Sequence, residues 1–191
     1  MPADTKLKIC SRASILMGGD PITALDDSTA EAVVADDMYE DIIRDLLVNT
    51  RWRFAAKQQQ LTTSGAAPLS RYDYEYPLPE DSLMVHAVTV NDCDIVYDIY
   101  DGLIHCNNPA SDTVICHYTY RALEANWPAY FTLAAELAMA SMFAVAIARD
   151  AQLANLIEGK RDRQLYRARR LDSQTKTTKN LDMTGLIRAR F

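Results

Sequence analysis

Apolar residues recur at helical spacing from the start of the chain: Leu7, Cys10, Ala13, Leu16 and Met17 predict a helix over about 6–17, stopped by Gly18-Gly19 and Asp20-Pro21. A second stripe, Val34, Met38, Ile42, Ile43, Leu46 and Leu47, predicts an amphipathic helix over about 28–54. Ser28-Thr29-Ala30-Glu31 reads as its capping box, Asp36, Asp37, Glu40, Asp41, Arg44 and Asp45 fill its polar face, and Trp52-Arg53-Phe54-Ala55 closes it. The pattern then changes period. Gln58 to Thr62, Leu83 to Val90, Asp94 to Tyr100, Leu103 to Cys106 and Thr113 to Tyr120 have strand character, and an antiparallel meander of about four strands is expected over about 72–120. Asn91-Asp92 and Asp101-Gly102 are its turn signals, the second the stronger because a type I′ turn needs positive φ at both positions.

Asn126-Trp127-Pro128 opens an Ala-rich helix over about 128–149, which is nearly apolar all round and is therefore expected in the core. Its length suits a membrane span, but Thr132, Glu136 and Ser141 interrupt it and protein neighbours are the expected surroundings. Asp150 caps a further helix over about 151–171, and periodicity alone leaves open whether the two form a hairpin or one rod. The fold expected is α+β: one domain over 1–172, made of a helical bundle with a small antiparallel sheet inserted, and an extended tail over 173–191.

At 191 residues and 49% hydrophobic content the chain can bury a real core. A net charge of -6 argues against nucleic-acid binding through the whole surface, but the average hides a polarity. Residues 1–50 carry ten acids against four bases, and residues 151–191 carry ten bases against four acids. Opposite signs at opposite ends suit contact between neighbouring copies. The beginning, Met1-Pro2-Ala3-Asp4, lacks the apolar core and basic flank of a secretory signal, so the cytoplasm is the expected place of synthesis and reduced thiols the expected state of Cys10, Cys93, Cys106 and Cys116.

The candidate chemistry is sparse. His105-Cys106 and Cys116-His117, with Cys93 nearby, offer zinc-type ligands, yet adjacent strand residues point to opposite faces and a shared ion would need a bulge. A small zinc- or thiol-dependent enzyme centred on His105, Cys106, Cys116 and His117 stands as one alternative. A cytoplasmic DNA-binding regulator using residues 160–179 stands as another, although Asp162 and Asp172 interrupt its basic face. The leading expectation has no catalytic, metal or cofactor residue. It treats Trp52, Phe54, Tyr76, Pro77 and Pro79 as a structural joint: Trp52 and Phe54 lock the second helix onto the Ala-rich helix, and Tyr76-Pro77-Leu78-Pro79 sets the angle at which the sheet leaves the bundle.

Taken in order, Leu16-Met17-Gly18-Gly19-Asp20-Pro21-Ile22, then Tyr39 with Arg44-Asp45-Leu46-Leu47, then Trp52-Arg53-Phe54-Ala55, Tyr76-Pro77-Leu78-Pro79-Glu80-Asp81, the strand Leu83 to Val90, Trp127-Pro128 and Leu186-Ile187-Arg188-Ala189-Arg190 span nearly the whole chain. In that order they resemble the head-to-tail adaptor (connector) proteins of tailed bacteriophages, the group of tail tubular protein A. The resemblance implies a structural virion protein at the head-tail interface: a dodecameric ring of copies beneath the portal protein, passing double-stranded DNA without sequence specificity. Below it would sit tail components such as a nozzle, stopper or tail terminator, and neither cofactor nor membrane is implied. It also implies portal or neighbour docking by the tail, through Leu181, Met183, Leu186, Ile187, Arg188, Arg190 and Phe191. Cys93, Cys106 and Cys116 match no motif of the group, and disulfides between subunits of the particle are the alternative they leave open.

Overall fold

A computed structural model describes residues 4–65, 68, 69 and 71–175. Its α+β architecture contains two N-terminal helices, α1 (Lys6–Met17) and α2 (Ala30–Val48), then seven strands, and two C-terminal helices, α3 (Ala129–Ala146) and α4 (Ala151–Ser173). The Thr5 hydroxyl caps α1 by accepting the Lys8 N–H, and Gly18 at φ 96° ends it in the left-handed region that an L side chain resists. The cap of α2 is Thr29, one residue later than the Ser28 capping box expected from the sequence. Its end is six residues earlier than expected, at Val48. The chain must leave the helix there for the Trp52 indole to fold back and donate to the Leu46 carbonyl at 2.8 Å. The buried face of α2 is also turned: Ala32, Ala35, Tyr39, Ile43, Leu46 and Leu47 face the core, while Val34, Met38 and Ile42 flank it.

α3 is the centre of the bundle, with α1, α2 and α4 each packed on it. Its small residues let neighbours approach on most sides, so Phe131, Ala135, Leu137, Met139 and Phe143 are all buried. Among the described residues it is the one helix long and apolar enough to cross a membrane, and two thirds of it is covered by protein. α3 and α4 are separate. Arg149 at φ 51° turns the chain between them, and the Asp150 carboxylate accepts from Gln152 N and Leu153 N to start α4.

The strands form two sheets where the sequence predicts one meander. β1 (Ala56–Gln60), β7 (Val114–Tyr120), β3 (Ser82–Val90) and β4 (Cys93–Asp94) make a four-stranded antiparallel sheet in that order. β2 (Tyr74–Pro77), β6 (Leu103–Cys106) and β5 (Asp98–Tyr100) make a three-stranded one. The predicted strand from Asp94 to Tyr100 is broken because Ile95 to Tyr97 cross from one sheet to the other. Both hairpin signals occupy two-residue turns at positive φ, Asn91 (50°) and Asp92 (63°) between β3 and β4, Asp101 (49°) and Gly102 (74°) between β5 and β6. A second, smaller core joins the sheets, with Tyr76, Ile104 and Cys106 from one and Val88, Val114, Cys116 and Tyr118 from the other.

Candidate functional site

The chain leaves the bundle after Ala55 and re-enters it at Ala122, and these two crossings lie side by side. Tyr120 N–H donates to the Ala55 carbonyl at 2.9 Å as β1 pairs with β7. Phe131, on the first turn of α3, collects the aromatic residues of both crossings. Trp52 and Trp127 lie edge-on to it at 5.2 and 4.9 Å between ring centroids, and Phe54 is tilted against it at 4.8 Å. Both indole N–H groups are satisfied, Trp52 by Leu46 and Trp127 by the Ala122 carbonyl at 2.9 Å, so the rings are buried at no hydrogen-bonding cost.

Tyr76, Pro77 and Pro79 lie elsewhere. Tyr76 belongs to the core between the sheets, with its hydroxyl donating to the Asn108 carbonyl at 2.8 Å. Pro77 ends β2 on a sheet edge, where its missing N–H breaks no ladder. Pro79 is buried in the connection to β3. This segment therefore sets the passage between the two sheets, and the angle between sheet and bundle is set by the paired crossings at Ala55 and Ala122.

Three polar clusters brace the joint, and the sequence pattern marks none of them as a unit. Arg121 forks onto Glu40 of α2 at 3.0 and 3.1 Å, also reaches Glu124 and the Ala122 carbonyl, and lies over the Trp127 ring. Tyr39 O–H donates to Glu124 at 3.0 Å. Burial pushes both carboxyls up, but hydrogen bonds from Arg121, together with its charge, outweigh burial and hold Glu40 and Glu124 below the ordinary glutamate value. Glu136, buried in α3, accepts from Arg12 of α1 at 3.0 Å. Asp172, also buried, accepts the Arg53 N–H at 3.1 Å and the Tyr130 O–H at 2.8 Å, which ties the end of α4 to the joint and to α3.

The histidines and cysteines of the sheet region do not converge. His105 and Cys106 are on β6 of one sheet, Cys116 and His117 on β7 of the other. Cys106 and Cys116 are buried in the core between the sheets, and burial pushes the Cys106 thiol up and the Cys116 thiol to about 11, away from the reactive thiolate. The His117 ring lies on the surface of its sheet between Gln58 (3.1 Å) and Thr89 (2.9 Å), and His105 lies edge-on to Tyr100. Among the described residues no group of three or more His, Cys, Asp or Glu side chains could hold a metal ion. Cys93 is exposed, and all four cysteines are unbridged.

An open groove of about 570 Å³ lies between α2 and α4, floored on α3 by Ala138, Ser141 and Met142. Asp41 and Asp45 stand on its α2 side, Arg161 and Arg169 on its α4 side, and Arg169 donates across its end to Asn49 at 2.8 Å. No protein-family model matches the chain, and no curated protein matches it. Of the basic segment 160–179, residues 160–173 form the end of α4; the docking candidates Leu181, Met183, Leu186, Ile187, Arg188, Arg190 and Phe191 lie outside the described residues.

Proposed function

We propose that this chain is a head-to-tail adaptor of a tailed bacteriophage, a structural subunit that forms a ring beneath the portal and lines the channel through which the genome leaves. One observation supports this reading above the others: the conspicuous residues that carry the family resemblance have packing roles. Trp52, Phe54 and Trp127 converge on Phe131, where they fix how a sheet module sits on a helical module. Such a joint is of use where many copies must share one shape. The partners on this reading are further copies of the chain, the portal protein and tail components such as a nozzle, stopper or tail terminator. Double-stranded DNA passes without base recognition, and the protein works in the virion after synthesis in the host cytoplasm.

Residues 176–191 carry Lys176, Lys179, Arg188 and Arg190 with the apolar anchors Leu181, Met183, Leu186, Ile187 and Phe191, a composition suited to docking on a partner. The test is electron microscopy of the full chain alone and with a candidate portal, beside a variant lacking residues 176–191. Rings that bind the portal, and lose portal binding without the tail while keeping wild-type circular dichroism, are expected. A chain that never joins a portal overturns the adaptor reading; a tail deletion without effect on binding overturns the docking role.

A further inference from the structure

The bases of this chain are divided in how they are used. Seven of the nine between Lys6 and Arg121 hold a carboxylate within ion-pair distance, the exceptions being Arg51 and Arg53. Of the six bases on α4, only Arg161 does so among the described residues. Lys160, Arg163, Arg167 and Arg170 are exposed and have no ion pair among the described residues. With the exposed Leu156 they recur at intervals of four, three, four and three, which places them on one straight ridge of the helix. Ala154, Ile157, Leu165 and Ala168 are buried on the opposite side, so this ridge points away from α3.

α2 carries a ridge of opposite sign. Asp37, Asp41 and Asp45 recur every four residues, exposed and without an ion pair among the described residues, and the exposed Val33 and Val48 bracket them. The two ridges match in length: at 1.5 Å rise per residue, Val33 to Val48 and Leu156 to Arg170 each span about 20 Å. Each is internally strained, because like charges at helical i,i+3 and i,i+4 spacing repel. Within one copy Asp41 and Asp45 look into the groove toward Arg161 and Arg169, whereas Lys160, Arg163, Arg167 and Arg170 lie outside that groove, so the two ridges are not paired with each other among the described residues.

We propose that these ridges are the two halves of one heterologous interface, in which the basic α4 ridge of one copy packs along the acidic α2 ridge of the next. Docking would relieve the repulsion within both ridges, and the apolar ends would be covered. Two different patches on one chain make a head-to-tail contact, which closes into a ring when the rotation permits. The inference deepens the ring reading by naming the subunit contact, and it rests on that reading only for closure. A nucleic acid would fit the α4 ridge but leaves the matched α2 ridge without a role.

The test is sedimentation analysis of the full chain and two charge-reversal variants, Asp37→Lys with Asp41→Lys and Arg163→Glu with Arg167→Glu, all at exposed positions. Wild type should self-associate at low ionic strength and weaken by about ten-fold or more in 0.5 M salt, where the Debye length is a few Å. Each variant alone should lose association while keeping wild-type thermal unfolding. Carrying both reversals in one chain, or mixing the two variants in equal amounts, should restore it, because every contact again joins opposite charges. A monomeric wild type overturns the inference, as does either variant associating like wild type, or a double reversal that restores nothing. Loss of binding to a DNA duplex by Arg163→Glu with Arg167→Glu, with self-association intact, overturns it in favour of a nucleic-acid face. The adaptor reading fails separately: association through these ridges without portal binding leaves this interface standing and removes that reading, whereas rings insensitive to both reversals do the opposite.

Discussion

Replacing Asp172 by alanine tests whether the end of α4 is clamped to the joint. The carboxylate is 4% exposed and accepts two hydrogen bonds from elements distant in sequence, the Arg53 N–H at 3.1 Å and the Tyr130 O–H at 2.8 Å. Hydrogen bonds to a charged group contribute about 1.5–3 kcal/mol each, and a donor left without a partner adds to the loss, so Asp172→Ala should cost about 3–4 kcal/mol. Against a stability of about 5–15 kcal/mol for a folded domain, that is a large fall in the urea midpoint. Tyr130→Phe removes one of the two donors. If the carboxylate works through both, the double variant should be more stable than the sum of the single losses by about 1 kcal/mol or more. A loss below about 1 kcal/mol for Asp172→Ala, or strict additivity with Tyr130→Phe, would refute the clamp.

Acid should weaken the Arg121 cluster. Glu40 and Glu124 have folded pKa values below the ordinary 4.5, so their stabilisation is present above that pH and is lost as pH falls through the lower folded values. Urea unfolding across that window should show a steep loss for wild type and a shallower one for Arg121→Met; parallel slopes would count against the pairing. The thiols give a second check. Burial pushes Cys10 to about 12 and Cys116 to about 11 and raises Cys106, whereas Cys93 is exposed, so a disulfide-exchange reagent should titrate one thiol quickly in the native protein and all four after unfolding. A second fast thiol would contradict the placement of the two cores.

Local signals carried most of the elements. Gly18, Asp150, Asn91-Asp92 and Asp101-Gly102 act within a few residues of themselves, and each does in the structure what its backbone preference dictates. The end of α2 was not legible, because Trp52 and Phe54 continue an apolar pattern while their partner Phe131 is far along the chain. Nor was the division into two sheets: period-2 alternation marks a strand but says nothing of which sheet it joins. The polar braces were hidden for the same reason, since Arg121 with Glu40, Arg12 with Glu136 and Asp172 with Arg53 are separated by 81, 124 and 119 positions. One signal did point to them. A lone Glu136 in an Ala-rich helix and Asp172 after the run Arg167 to Leu171 each break the local pattern, and a carboxylate in such company needs a distant partner to be buried.

The position of Asp172 has a mechanical consequence. It is one helical turn from the point where the chain departs into residues 176–191, and it is held by Arg53, the residue between Trp52 and Phe54. A pull on the C-terminal segment would therefore not simply peel α4 away from its end. The load would pass through the carboxylate into the aromatic knot around Phe131, and from there into both crossings to the sheets, so that tension at one extremity is felt as a torque on the other module.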